Sequence, residues 1–308
     1  VSGLVVLPLL IYFHEQVRLI EWVVSLCMLA LGLFILKRAQ GGLKCRWPLF
    51  PAHALGGGRF SWRGLSGFLL VNAVVLLPLS VIYLAFCASL AVDHFTDGFV
   101  KLRPSGLISQ VRKYSREDGR TIQLVPMSHV GEPEFYHDLV ASFPADSVIL
   151  MEGVSDKDHL LATDPQKPAE GKPGYSRMAD SLGVAEQQNE FKPRSEMVAA
   201  DVDVSVFSRS TIDLLKQVLL VHSKGVNART LPFMMTPAQP GVEMQLFDDI
   251  LTKRNAHLLG VIREQLTKSE EIIVPWGAAH MPGISREILR SGFRLAETKE
   301  YVAIRFGS

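Results

Sequence analysis

Cysteine is scarce and one-sided in this sequence: the chain has three, Cys27, Cys45 and Cys87, and none after them. A domain formed by residues 93–308 therefore has no disulfide and must be held by its core alone, for which 216 residues suffice. Basic tracts are also missing from that part. Removing the seven basic residues before position 93 from 32, and Glu15 and Glu21 from 31, leaves 25 against 29, so the later part is mildly acidic and nucleic acid is excluded as a partner. No H-E-x-x-H, C-x-x-C pair or G-x-S-x-G occurs, which removes the usual zinc-protease and serine-hydrolase signatures. The run "LGGGRF" lacks the Lys and Ser/Thr of a phosphate loop and reads as flexible linker.

Charge is absent altogether from Phe68 to Val92, 25 residues, where roughly 20 are enough to cross a hydrocarbon core. Leu19 to Leu36 reads as a second span, with Glu21 near one end beside Trp22, a residue suited to the membrane interface. Val1 to Phe13 is too short to cross alone and fits either a truncated span or the apolar part of a signal peptide. Between the two clear spans, residues 37–67 hold Lys37, Arg38, Lys44, Arg46, Arg59 and Arg63 and no acidic residue. Short loops rich in Lys and Arg stay in the cytoplasm, and contact with anionic lipid leads to the same side. The expected product is an integral membrane protein, with the bilayer as a partner and everything after residue 92 outside the cytoplasm.

Beyond the spans, residues 93–119 read as a linker and the folded domain as 120–308. Ile122 to Val125 is expected to be a short buried strand stopped by Pro126, followed by a helix from Pro133 and a second strand ending at Glu152. That is a parallel strand–helix–strand unit. Residues 155–194 form a long excursion, rich in Asp, Lys, Pro and Gly, that could cover a site. A helix starts near Ser210, another runs from about Gln245 to Lys268, and Ile272 to Pro275 is a further strand. "GFRLAETKEYVAIRF" alternates as two short antiparallel edge strands would. The expected fold class is α/β, a mostly parallel or mixed sheet flanked by helices and preceded by transmembrane helices.

His129, Glu152 and His280 each fall at or just after the end of an expected strand, the rim where open α/β sheets bind ligands. Two imidazoles and a carboxylate are a common open set for a divalent metal, and metal-bound water makes hydrolysis the natural chemistry. The competing reading gives each histidine a structural hydrogen bond and lets Glu152 cap a turn or pair with Arg. Asp201 and Asp203 either support the site or cap the following helix. "VPMSHVGEPEFYHDL" and "VPWGAAHMPGISREIL" share a plan of strand, small residues, His, proline and helix, which suggests two related half-units.

"VPWGAAHMPGI" resembles the second G-x-x-H motif of the TraB/PrgY/Tiki families, which belong with erythromycin-esterase and ChaN-like proteins in one superfamily. "LVPMSHVG" resembles the first, "ILMEGV" the glutamate-bearing strand between them, "KRNAHLL" the Arg-Asn helix, and "AADVDVS" a further shared segment. The resemblance covers residues 120–305 and departs from the pattern at Pro126, which stands where the first motif has Gly. It implies a membrane-tethered, metal-dependent hydrolase or peptidase acting on peptide or protein, using Mn, Co or Zn, with a bacterial inner membrane as its location. His129 and His280 would then be metal ligands and Glu152 a ligand or general base, while Arg254 and Asn255 would orient substrate. ChaN-like relatives imply a haem- or metal-binding alternative, and a third reading is a signalling protein that sequesters a peptide without cleaving it.

Overall fold

The computed structural model describes residues 7–40, 61–162, 175–224 and 241–307. Lys44, Arg46 and Arg59, the first six residues, and the middle of the 155–194 excursion lie outside that set. The chain forms two compact units, Val1–His94 and Phe95–Ser308.

The first unit holds a short helix Leu7–Tyr12, then α1 (Val17–Gln40) and α2 (Trp62–Phe95). Both long helices are apolar enough to cross a membrane, and neither apolar window is buried against protein. At about 1.5 Å per residue α2 is about 51 Å long, so its ends extend past a hydrocarbon core of about 30 Å. A π-helical turn, Asn72–Leu76, interrupts it. There the Asn72 amide donates to Phe68 O at 2.7 Å, and about two turns later the Ser80 hydroxyl donates to Leu76 O at 2.8 Å. Polar side chains satisfied by their own helix are what a bilayer interior requires.

The second unit is α/β with a mixed sheet. Its strands are β1 (Val100–Arg103), β2 (Gly106–Ser115), β3 (Thr121–Met127), β4 (Val130–Gly131), β5 (Val148–Met151), β6 (Ala185–Glu186), β7 (Glu196–Ala199), β8 (Glu271–Gly277) and β9 (Arg294–Arg305). The main sheet runs β1-β2-β3-β8-β5-β7 with β9 paired to β2, while β4 and β6 form a small separate pair. Pairings β3–β8, β8–β5 and β5–β7 are parallel, and those involving β2 are antiparallel. Besides a single helical turn at Gln187–Glu190, the described helices are α3 (Pro133–Ala141), α4 (Ser176–Leu182), α5 (Arg209–Lys224), α6 (Val242–Phe247), α7 (Arg254–Gln265) and α8 (Met281–Arg290).

Strand alternation allots the helices to two faces. Leu124, Leu150, Ile272, Val274 and Trp276 pack with Leu258 and Ile262 of α7 and Ile284 and Ile288 of α8. Their neighbours Val125, Ile149 and Ile273 pack with Phe135, Tyr136 and Leu139 of α3. Covered on both faces, the central strands read as continuous apolar runs. Strand–helix–strand from β3 through α3 to β5 is present as expected, but β8 is inserted between the two strands.

Three expectations are corrected. The region 93–119 is not a linker: β1 and β2 occupy most of it, and the folded unit begins at Phe95. Its polarity misleads because Arg112 and Lys113 stand side by side in β2 among buried Ile108, Val111 and Tyr114, and the Arg112 guanidinium lies 3.9 Å from the centre of the Phe99 ring. Pro126 does not stop its strand, since β3 continues to Met127. Pairing of β3 with β2 ends at Leu124, so the missing N–H of Pro126 breaks no ladder there, and Ser109 Oγ donates to Pro126 O at 2.8 Å. Lastly, the C-terminal segment is one strand of 12 residues, with register shifts opposite Lys113/Tyr114 and Leu107/Ile108 absorbing Ala296 and Ala303 as bulges.

Gly106 closes the β1–β2 hairpin at φ +148°, and a Cβ there would sit 2.2 Å from the backbone oxygen of Ile304. Gly106→Ala is expected to lower the stability of the folded unit by about 1–3 kcal/mol, read as a fall in the thermal midpoint of the detergent-solubilised chain.

Candidate functional site

The site forms where β5 and β8 separate. Their parallel pairing covers only Val148–Ile149 and Ile272–Ile273. Beyond it, side chains take over the cross-strand bonding: Trp276 Nε1 donates to Leu150 O at 3.0 Å, and Gly277 N donates to Glu152 Oε2 at 2.6 Å. Pro275 is tolerated because it lies past the end of the β5–β8 ladder.

Arg254 stands at the centre of the cluster. Its side chain is 9% exposed and reaches Glu152 Oε1 at 2.7 Å through one Nη, which also donates to Asp201 Oδ2 at 2.6 Å. Its Nε donates to Asp201 Oδ1 at 2.9 Å, so the aspartate is gripped at both oxygens. The other Nη lies 3.2 Å from His280 Nε2. A guanidinium has no acceptor, so Nε2 must offer its lone pair and the imidazole is neutral. Its proton is then on Nδ1, 2.7 Å from Asn255 Oδ1. Burial is the main force lowering the His280 pKa from 6.5 to about 4, followed by the charge of Arg254, while Glu152 and Asp201 oppose it.

A π-helical turn, Asp248–Lys253, immediately precedes Arg254. Its fully buried Asp249 accepts from Ser208 N at 2.9 Å, Ser208 Oγ at 2.6 Å and Lys253 Nζ at 2.6 Å, tying the widened turn to the chain leading into α5. Turns of this kind are frequent at functional sites. Nothing in the apolar periodicity of the helix announced it.

Gly283 supports the histidine from the other side. A Cβ on it would meet the Asn255 amide nitrogen at 2.7 Å. Gly283→Ala is therefore expected to push Asn255 off His280 and to remove the slowly exchanging Nδ1 proton from the low-field NMR spectrum. Persistence of that proton would show that Asn255 does not hold the ring.

The expected site residues have different fates. Glu152, Arg254, Asn255 and His280 are brought together. Asp201 joins them as the direct partner of Arg254, and its carboxylate also accepts from Gly153 N at 2.9 Å and Val202 N at 2.8 Å. Asp203 does not join: its carboxylate accepts from Ser155 Oγ, Lys157 N and Ser205 N, which holds its pKa well below the usual carboxylate range and caps the short turn at Val204–Val206. Arg254 pairs with strand-end carboxylates rather than with the excursion.

His129 is not among the side chains that Arg254 gathers. Residue Met127 of β3 pairs with Gly277 of β8, but the chain after β3 enters β4 and then α3 on one face, whereas His280 caps α8 on the other. His129 is exposed and stacked on Tyr175, with ring centres 4.5 Å apart, and its carbonyl accepts from Gln187 N. The β4–β6 pairing pins this part of the excursion over the rim. Burial, then the charge of Glu152, raises the Tyr175 pKa, which places the phenol within reach of that carboxylate's field. Tyr175 was missed in the sequence, where its only signal was the helical run "YSRMADSLGV" inside an otherwise irregular stretch.

The donors do not fit the divalent ion that the resemblance implies. Glu152 Oε1 and His280 Nε2 are 3.7 Å apart, but both face the Arg254 guanidinium, a cation that repels a second one. Among the described residues no three His, Cys, Asp or Glu side chains are placed to hold a metal ion. The His280 lone pair, which a haem iron would also need, is engaged by the same guanidinium.

Fold and site together define an α/β mixed-sheet protein with two helices long and apolar enough to cross a membrane and an arginine-centred polar cluster at a strand rim. Comparison of the chain with protein-family models, curated proteins and solved structures finds no match.

Proposed function

We propose that the protein is a membrane-anchored hydrolase whose Phe95–Ser308 unit lies outside the cytoplasm and acts on peptide or protein substrates. The motif order carried by "LVPMSHVG", "ILMEGV", "KRNAHLL" and "VPWGAAHMPGI" supports the reaction class, and the Lys- and Arg-rich segment 37–67 supports the orientation. The observation that carries the reading is the arrangement at the β5–β8 separation. Glu152, at 20% more exposed than Arg254, Asp201 and His280, is fixed by a backbone N–H and a buried guanidinium beside a neutral imidazole. In this reading Glu152 is the general base that takes a proton from water, and Arg254 with Asn255 and His280 keeps it in place. Tyr175 and His129 line the approach.

The test is a panel of fluorogenic peptides and esters given to the full chain in detergent, wild type beside Glu152→Gln. Cleavage that falls by about 10²-fold or more in the variant, at unchanged thermal midpoint, supports the reading. Equal turnover in both removes Glu152 from the chemistry. A second reading, capture of a peptide without cleavage, is favoured by the mutual saturation of Arg254, Asp201 and His280. It predicts saturable peptide binding by wild type and Glu152→Gln alike, with no product from either.

A further inference from the structure

We propose that Arg254 is the permanent cation of this centre: Glu152, Asp201 and His280 form a cation cradle that the guanidinium fills, so the site works without a divalent metal. This rests on the hydrolase reading only for what the centre does, and not for how the cradle is occupied.

Four acceptor atoms converge on one guanidinium, at 2.6 Å (Asp201 Oδ2), 2.7 Å (Glu152 Oε1), 2.9 Å (Asp201 Oδ1) and 3.2 Å (His280 Nε2). They come from three different strand ends or helix starts, after β5, after β7 and at the start of α8, while Arg254 comes from a fourth element, α7. The Asp201 side chain is fully buried, and those of His280 and Arg254 are 5% and 9% exposed. A carboxylate so placed is costly unless a cation stays with it. The indole of Trp276 closes one side, its ring centre 5.3 Å from the guanidinium carbon. The guanidinium also selects the histidine tautomer, because it can only donate to Nε2. A planar fork can donate to all four acceptors at once, whereas a divalent ion would have to share the cradle with a buried cation. Arg254 is thus a positioning and charge-balancing residue: it holds Glu152 at the rim and keeps the His280 lone pair turned inward.

The experiment uses the full chain in detergent after exhaustive chelation. Zn2+, Mn2+ and Co2+ are each titrated by calorimetry with elemental analysis of the re-dialysed protein, and the His280 ring is followed by nitrogen NMR with Zn2+. The expected result is no stoichiometric metal and an unchanged Nε2 resonance. Arg254→Ala supplies the converse: the emptied cradle should be stabilised by millimolar methylguanidinium, with a saturable rise in thermal midpoint that wild type lacks. Arg254→Lys, which keeps the charge and loses the fork, stands in if the alanine variant does not fold, and its loss of the single His280 tautomer is then the expected readout. One metal ion per wild-type chain with a displaced Nε2 resonance would overturn the proposal, as would identical responses of wild type and Arg254→Ala to methylguanidinium, or an intact tautomer in Arg254→Lys. Failure of the peptide and ester panel would sink the hydrolase reading and leave these results standing, so the two fail separately.

Discussion

Acidification from pH 7 to pH 4 is expected to withdraw on the order of 3 kcal/mol of stability from the Phe95–Ser308 unit through His280 alone. The imidazole has a folded pKa of about 4, against an ordinary value of 6.5. Between those two values the unfolded chain binds the proton and the folded one does not, so stability rises with pH across that window. The contribution is complete above pH 6.5, declines as pH falls, and is gone below about 4. Burial is the first cause and the Arg254 charge the second, so the ring cannot be protonated without a cation facing a cation. The measurement is the denaturant midpoint of wild type and His280→Gln against pH, because the difference between them isolates this residue from the carboxylates that titrate lower. Parallel curves through the window would show that the ring is protonated in place and that the neutral tautomer is wrong.

The second large effect is expected at Asp201, whose side chain is fully buried and whose two oxygens face Nε and Nη of Arg254. Asp201→Ala should cost about 3–5 kcal/mol, the range found when one partner of a buried ion pair is removed and the other charge is left behind. The double variant Asp201→Ala/Arg254→Ala should cost less than the two single costs added, because each removes the charge that the other strands. Strict additivity in that cycle would mean that the pair contributes nothing as a pair. Glu152 makes a useful contrast. It is the more exposed partner and keeps its bond to Gly277 N, so its replacement should move the reaction far more than the fold.

Much of the architecture was legible from residue pattern. Apolar runs marked both long helices, one without any charge and the other with Glu21 alone near its end, because a bilayer accepts little else over that length. The starts of α3 and α8 were legible from Pro133 and Pro282, which sit in the first turn in both helices. Strand β2 was not, because a strand carrying Arg112 and Lys113 beside Ser and Gln has the composition of a linker, and only its partners β1, β3 and β9 reveal it as sheet. Pro126 misled for a related reason. A proline ends a strand only where its absent N–H would have had a partner, and the local sequence does not say where the neighbouring ladder stops.

For the site, the sequence by itself placed His129, Glu152 and His280 at strand ends, Asp201 ahead of a helix, and Arg254 and Asn255 side by side on a helix. Only the tertiary structure decided which of them meet. The order β3-β8-β5-β7 brings the ends of β5, β7 and β8 beside one another, and α7 lies across the face that α8 shares. The connections after β3 and β8 lead to helices on opposite faces although the two strands are neighbours in register. A guanidinium on a long side chain then fills the space between the carboxylates and the imidazole, since buried negative charge must be balanced within hydrogen-bonding distance and Arg254 is the cation that reaches it.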